Sequence, residues 1–408
     1  MITFVHTADI HFGVENYGYI DPATGIHTRL LDFENALNFC IDAAIERNVD
    51  FFMFSGDAYK TAHPSPTQQR LLINCFLRLY KANIPVIIVV GNHDNPVSFG
   101  KAHALDIFGQ LPVDGFHVFS KPGAITLQTK NGPVQVVGIP WPSRTTLALS
   151  LPNTSAQDIA EQVSKHVCTL IDHYIEKLSP EIPTVLSGHL TVSSGIFSGS
   201  EKRAIYGSDP LFLPSDLAKK PFDYIGLGHL HRYQNLNPDG YPAIVYSGSP
   251  ERVDFGERKE EKGFCFVTIH EKDNTTHEFI KIPTRPFIQV EVYLQNNENQ
   301  TEQIIEEIQK HDLQNAVIKI VYHLPQHCKD SVDVSKIKQI CSPAHHLVGI
   351  FPIKKPVVRE QRAAVNVSMD LPTLLSHYSL VKQEIKPRLD SMLKKLHQLI
   401  EEINSASE

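Results

Sequence analysis

The chain has 408 residues, more than one ordinary core accommodates, so two domains and an appendage are expected. Its 42% hydrophobic and 20% charged residues suit a globular protein, and no apolar run approaches the length of a membrane helix. A formal net charge of −7 argues against a protein that grips nucleic acid with one broad basic face.

The opening stretch, "MITFVHTADIHFG", has neither a basic n-region nor a small-residue cleavage site. It reads as a strand (2–9) and predicts a cytoplasmic protein. A helix follows from Arg29 to Arg47, then the strand "VDFFMFSGD" (49–57), a helix from Thr67 to Ala82, and the strand "IPVIIVVGNHD" (84–94). Near-continuous apolar strands separated by helices predict a mostly parallel sheet covered on both faces. From 115 to 145 short strands are expected ("HVFS", "AITLQT", "PVQVVGIPW"), followed by a helix over 155–178. The strands "PTVLSGHL" (183–190), "FDYIGLGHLH" (222–231), "AIVYSGSP" (243–250) and "KGFCFVTIH" (262–270) complete an α/β sandwich.

The Pro-bearing "KIPTRPF" (281–287) reads as a linker. Beyond it, "IQVEVYL", a helix at 300–311, "AVIKIVYHL", a helix at 333–341 and "HLVGIFPI" form a small α+β unit. The stretch 353–370 reads as irregular and the tail from Leu371 as helical. In that tail Ile385, Leu389, Met392, Leu396, Leu399 and Ile403 form a heptad seam, which needs a second helix, either its own cap or a partner. The six cysteines (Cys40, Cys75, Cys168, Cys265, Cys328, Cys341) contain no C-x-x-C pair and read as reduced thiols.

Five blocks put a metal ligand just past an apolar strand: "TADIHFG" (Asp9, His11), "FSGDAYK" (Asp57), "VVGNHD" (Asn92, His93), "LSGHL" (His189) and "LGHLH" (His229, His231). Taken singly, a lone Asp-x-His near a strand end is more often a turn than a ligand, and "GHLH" alone is a weaker signal than "GNHD". Their joint occurrence, in order and each at a strand end, points to a metallophosphoesterase. Carboxylates, imidazoles and one amide oxygen suit Mn²⁺, Fe²⁺ or Zn²⁺ better than Ca²⁺. Seven ligands exceed what one ion needs, so two ions sharing Asp57 are expected, the arrangement of two-metal phosphoester cleavage. His93, beside a ligand but not needed as one, is then placed to stabilise or protonate the leaving oxygen. Asp94 is expected to orient His93 from behind. His6, His27, His63, His103, His117, His166, His173, His345 and His346 lack a paired motif and read as packing or surface residues.

These blocks resemble those of the calcineurin-like metallophosphoesterases. "HTADIHFG", "GHLHRYQ" (228–234), "YSGSPERVDFGE" (246–257), "KGF" (262–264) and "RPF" (285–287) resemble, more narrowly, the SbcD-type nuclease subunits of bacterial double-strand-break repair complexes. The resemblance implies a phosphoesterase α/β sandwich with two central mixed sheets flanked by helices over 1–282. It further implies an α+β DNA-capping domain over 288–352 and a helical tail over 371–405. Asp9, His11 and His231 would hold one metal and Asn92, His189 and His229 the other, with Asp57 bridging and His93 acting on the leaving group.

The implied activity is Mn²⁺-dependent 3′–5′ exonuclease and single-strand or hairpin endonuclease cleavage of DNA. The implied partner is an SbcC-like ATPase whose long coiled coil receives the tail, with the chain a homodimer within a heterotetramer. Such a partner would supply the missing basic grip on duplex DNA. Lys60 departs from the family pattern, which has an acidic residue or His at that position, and is a candidate for steering phosphate. An enzyme acting on small phosphoesters or phosphoproteins shares the metal site but needs neither cap nor seam. A structural subunit with a degenerate site is disfavoured, since all seven ligands and His93 are present.

Overall fold

The computed structural model describes residues 1–96, 102–110, 114–143, 154–199, 209–295, 298–325, 328–354, 369–382 and 384–405. The irregular stretch expected at 353–370 therefore falls largely outside the described residues, from 355 to 368.

The N-terminal α/β pattern forms as read, with shorter strands. β1 (Ile2–Thr7), β2 (Phe51–Phe54) and β3 (Val86–Val89) are joined by helices α1 (Thr28–Glu46) and α2 (Pro66–Lys81), and β4 (Phe116–Phe119) follows. The four strands run parallel in the order β1-β2-β3-β4. Every residue of β2 and β3 is buried, which is why both read as unbroken apolar runs. α2 starts sharply: Pro66 occupies its first turn, and Ser65 and Gln68 cap each other's backbone N–H groups.

A second set follows: β5 (Gly123–Thr129), β6 (Gly132–Ile139), β7 (Thr184–His189), β8 (Thr191–Val192), β9 (Leu211–Phe212), β10 (Tyr224–Gly228), β11 (Gln234–Asn235) and β12 (Ala243–Tyr246). β13 (Gly263–Glu271) then returns antiparallel to β1, and β14 (Asn274–Lys281) pairs antiparallel with β13. The result is two six-stranded mixed sheets, ordered β14-β13-β1-β2-β3-β4 and β11-β12-β10-β7-β6-β5.

The sheets share one core: Phe4, Phe51 and Met53 from the first lie in a buried cluster with Val136, Val185 and Val245 from the second. The outer face of the first sheet packs on α1 and α2 through residues such as Phe33, Leu37, Leu72 and Phe76. That of the second packs on the helix Ala156–Ile175 through Ile159, Val163, Val167 and Ile171. This is the expected α/β sandwich of two mixed sheets flanked by helices. No described helix is long and apolar enough to cross a membrane.

By its contacts the chain divides into two units, the first comprising Met1–Val290, Gln309–Ile320 and Ser335–Gly349. The second comprises Glu291–Ile308, Val321–Val334 and Ile350–Glu408. Within the second, the helix Gln300–Ile308 buries Ile304 and Ile308, and Tyr293 stacks on His323 at 4.2 Å. Its tail consists of the helices Leu371–Val381 and Leu389–Ser405, which together line an apolar groove of about 610 Å³ with Leu374, Tyr378, Met392, Leu396 and Leu399. The seam is shorter than its spacing suggests. Ile385 precedes a 3-10 turn over Lys386–Arg388, and Pro387 in that turn has no N–H to give a continuing α-helix.

Candidate metal centre

All five ligand-bearing blocks end up at the carboxyl ends of parallel strands, on loops after β1, β2, β3 and β10 and on the last residue of β7. The backbone is bent hard to bring them together. Asp9, His11, Asp57 and His229 have φ of 56°, 50°, 56° and 102°, in the left-handed region that side chains with a Cβ avoid. Backbone bonds fasten the loops to one another: Asp9 N–H donates to Gly56 O at 2.9 Å and His11 N–H to Asp57 O at 3.1 Å. Glycine is required at two points. A methyl on Gly56 would strike the His189 imidazole, and one on Gly91 would strike the Asp57 carboxylate and N–H.

Six of the seven expected ligands are buried, while Asn92 is half-buried and His93 exposed. The side chains converge in two groups around Asp57. In one, His11 Nε2 lies 3.0 Å from His231 Nε2 and 3.6 Å from Asp57 Oδ2. In the other, His189 Nε2 lies 2.9 Å from Asn92 Oδ1 and 3.4 Å from Asp57 Oδ2, and His229 Nδ1 lies 3.1 Å from Asn92 Oδ1. Asp9, whose oxygens accept from the His229 N–H at 3.0 Å, can join a metal-sized cluster with either His11 and His231 or Asp57 and His189.

The tautomers explain what belongs in these gaps. His189 Nδ1–H donates to Ser55 O at 2.8 Å and His231 Nδ1–H to Glu257 Oε1 at 2.8 Å, so in the neutral rings both Nε2 atoms carry lone pairs. The His189 lone pair then faces Asn92 Oδ1 at 2.9 Å, and the His231 lone pair faces His11 Nε2 at 3.0 Å, which donates or accepts according to the His11 tautomer. Facing lone pairs repel unless a proton or cation sits between them. The donor set of carboxylate, imidazole and amide oxygen fits divalent Mn, Fe or Zn.

Electrostatics agree. Burial alone would raise Asp57, but His189, His93 and His11 outweigh it and hold the carboxyl well below its usual range. Burial likewise pulls His189 down, yet Asp57 and Asp9 push it up to about 9. Burial raises Asp9 to about 7, lowers His229 to about 3 and holds His11 well below its ordinary value.

His93 is placed differently from its neighbours. Its N–H donates to Asp57 Oδ1 at 2.9 Å, and its ring meets His11 edge-on at 4.9 Å. The orientation expected of Asp94 comes from elsewhere. His93 Nδ1 donates to the Lys60 backbone carbonyl at 2.8 Å, while the buried Asp94 carboxylate accepts from the N–H groups of Gly91, Ala58 and Tyr59. Asp94 thus ties the Asp57 loop to the Asn92 loop, because both present backbone N–H groups that would otherwise be buried unsatisfied. Lys60 is exposed, and its contribution to this arrangement is that carbonyl.

Three further residues, to which the sequence reading assigned no role, join the site. Glu257 and Lys262 form a buried pair at 2.6 Å behind His231, and they lie in the blocks "DFGE" and "KGF". Trp141, the only tryptophan, lies with its ring 4.8 Å from that of His229. Of the histidines read as packing residues, His6 is buried between the sheets against Tyr224 OH, and His345 bonds Thr28 Oγ1 at 2.9 Å.

Two packed mixed sheets that bring carboxylates, imidazoles and an amide to two clusters about one shared aspartate define a dimetal-type hydrolase scaffold. The family profile of the calcineurin-like phosphoesterases matches residues 2–233, more than half of the 408, and the chain belongs to that family. It is 24% identical over 388 residues to the SbcD component of the SbcCD nuclease of Staphylococcus saprophyticus, covering 93% of this chain and 89% of that one. It is 26% identical over 364 residues to the DNA double-strand break repair protein Mre11 of Archaeoglobus fulgidus, covering 83% and 71%. An uncharacterized metallophosphoesterase of Bacillus subtilis, YhaO, is 26% identical over 281 residues, covering 67% of this chain and 58% of its own length.

Proposed function

We propose that the protein is a Mn²⁺-dependent DNA nuclease, cleaving phosphodiesters as a 3′–5′ exonuclease and as an endonuclease on single-stranded or hairpin DNA. The observation that carries this reading is the extent of likeness to the SbcD component of the SbcCD nuclease: it runs over 93% of the chain, past the phosphoesterase domain into the α+β region and tail. A phosphatase of small phosphoesters or phosphoproteins needs only the first part.

In this reading Asp9, His11 and His231 hold one ion and Asn92, His189 and His229 the other, with Asp57 between them. Two ions there would supply Lewis acidity, lowering the pKa of water and neutralising charge on the phosphoryl oxygens. The chain's own groups do the rest. Ser55 O and Glu257 fix the tautomers of His189 and His231 so that the lone pairs face inward. Burial of six ligands excludes bulk water around them. His93, exposed and oriented by the Lys60 carbonyl through Nδ1, offers a ring nitrogen close to His11 and Asp57 and would stabilise or protonate the departing oxygen. The exposed Lys60 side chain would steer backbone phosphates.

The α+β region (288–352) would act as a DNA cap and the tail (371–405) as a docking helix pair for the coiled coil of an SbcC-like ATPase, within a homodimer-based heterotetramer in the cytoplasm. The open apolar groove along Leu374, Leu396 and Leu399 supports a helical partner, as does the 65% exposure of Ile403. The test is a digestion series. Wild type and His93→Ala receive end-labelled duplex and hairpin DNA, or p-nitrophenyl phosphate, with Mn²⁺, Mg²⁺ or chelator. Mn²⁺-dependent DNA cleavage lost in the variant is expected; hydrolysis of p-nitrophenyl phosphate alone would transfer the protein to the phosphatase reading. Truncation before Leu371 should abolish co-purification with the ATPase and spare cleavage of short DNA.

A further inference from the structure

We infer that Trp141 is a stacking platform for the nucleobase on the non-leaving side of the scissile phosphate, an inference that rests on the nuclease reading. The indole sits in the loop just after β6, and the Trp141 backbone N–H donates to Val90 O at 2.9 Å. That bond ties the exit of the second sheet to the exit of β3, one residue before Gly91 and two before Asn92, so the ring is fixed relative to the ligand cluster.

Its ring lies 4.8 Å from the His229 ring, tilted by 34°, and meets His189 near edge-on at 6.0 Å. One face is therefore covered by His229, whose Nε2 is buried with no hydrogen-bond partner among the described residues. Yet Trp141 remains partly exposed. If its task were only to seal His229 from water, a smaller apolar side chain wholly inside the wall would serve, without leaving an indole at a site rim.

The arrangement of the flanks indicates what the open part meets. His93 packs on His11, on the flank of Asp9 and His231, while Trp141 packs on His229 and His189, on the flank of Asn92. In-line attack sets the nucleophile, not the other ester oxygen, opposite a leaving oxygen that faces His93, so the retained nucleoside lies to the side of that axis, where the flank bearing Trp141 can receive its base. Base–indole stacking is sequence-tolerant because every base has a π-face, which suits a nuclease without sequence preference. It also requires an unstacked base, so the platform favours frayed or single-stranded ends over intact duplex.

Because the chain has one tryptophan, its fluorescence reports this position alone. Metal-free protein is titrated with single-stranded oligo(dT) and with the same oligonucleotide carrying an abasic 3′-terminal nucleotide. Cleavage of both is then measured with Mn²⁺ for wild type, Trp141→Phe and Trp141→Ala. Expected are quenching by the intact oligonucleotide and little by the abasic one. KM for the intact substrate should rise about tenfold in Trp141→Ala, the size of one lost stacking contact. Trp141→Phe should keep most of the affinity, and none of the three proteins should differ strongly on the abasic substrate. Equal losses on both substrates, with weakened Mn²⁺ binding by calorimetry, would reduce Trp141 to packing against His229 and overturn the platform. Absence of quenching would overturn it too. Quenching without any cleavage would keep the platform and remove the nuclease reading instead.

Discussion

Replacing Glu257 with Gln should separate the stability of the fold from the quality of the metal site. Glu257 is fully buried and uses both oxygens. Oε1 accepts from His231 Nδ1 at 2.8 Å, and Oε2 accepts from Lys262 Nζ at 2.6 Å and from Val253 N–H at 3.0 Å. Burial would raise this carboxyl, but Lys262 and His231 outweigh it and hold it below the ordinary 4.5. Its stabilising contribution is thus present above that ordinary value and is lost as pH falls below it.

A neutral amide removes the charge that Lys262 faces. Stripping one partner from a buried pair costs about 3–5 kcal/mol, and the lower end applies here because Glu260 Oε2 remains 3.3 Å from Lys262 Nζ. The amide also holds His231 less firmly in the tautomer that turns Nε2 inward, a loss of about 10–100-fold in metal affinity. Adding Lys262→Met should restore much of the stability, since no unpaired ammonium is left, while Mn²⁺ affinity stays low. Urea unfolding of the metal-free proteins, followed by circular dichroism, reads the first quantity, and isothermal titration with Mn²⁺ reads the second. A double variant as unstable as Glu257→Gln alone, or a Glu257→Gln protein with wild-type Mn²⁺ affinity, would refute the reasoning.

Two other perturbations test other parts of the structure. Burial and the nearby His277 lower His6 to about 3, whereas the unfolded chain protonates it at the ordinary 6.5, so stability falls as pH drops through that interval. At pH 5 the penalty is about 2 kcal/mol, and His6→Gln should shrink the difference between urea curves at pH 7.5 and 5 by that amount; an unchanged difference contradicts the assignment. Gly91→Ala adds a methyl against the Asp57 carboxylate, so bound Mn²⁺ measured by mass spectrometry should drop steeply while unfolding free energy falls by about 1–3 kcal/mol. Full metal occupancy in that variant would show that the loop gives way freely.

The ligand blocks are legible because each combines two local signals, an apolar strand and a small residue before the polar one, and the fold needs both at a strand's carboxyl end. The strands themselves are shorter than their patterns: 84–94 reads as one strand, whereas β3 stops at Val89 and the rest is loop. The ligands have to leave the ladder to converge, and periodicity does not register that departure. β14 escapes the pattern because "NTTHEFIK" alternates exposed and half-buried residues at a sheet edge, with too little apolar content to stand out. The group that orients His93 is hidden for a different reason. Adjacent sequence makes Asp94 the natural candidate, but the acceptor is a backbone carbonyl 33 residues earlier, which no side-chain motif encodes.

The same distinction explains why the site is costly to form. Asp9, His11, Asp57 and His229 all hold left-handed backbone, each such residue costing about 1–3 kcal/mol, and the site also collects buried imidazoles and carboxylates. Much of what keeps the loops in place does not involve the ligand atoms: Asp9 N–H to Gly56 O, His11 N–H to Asp57 O, and the Asp94 carboxylate across Gly91, Ala58 and Tyr59. Beside these, His93 N–H to Asp57 Oδ1 and His229 N–H to Asp9 do use them. The scaffold therefore fixes these loops largely through bonds that do not depend on a cation. That separation accounts for the strict need for glycine at 56 and 91, where the frame presses on His189 and Asp57. The frame leaves His93 exposed and Trp141 partly exposed beside the buried residues.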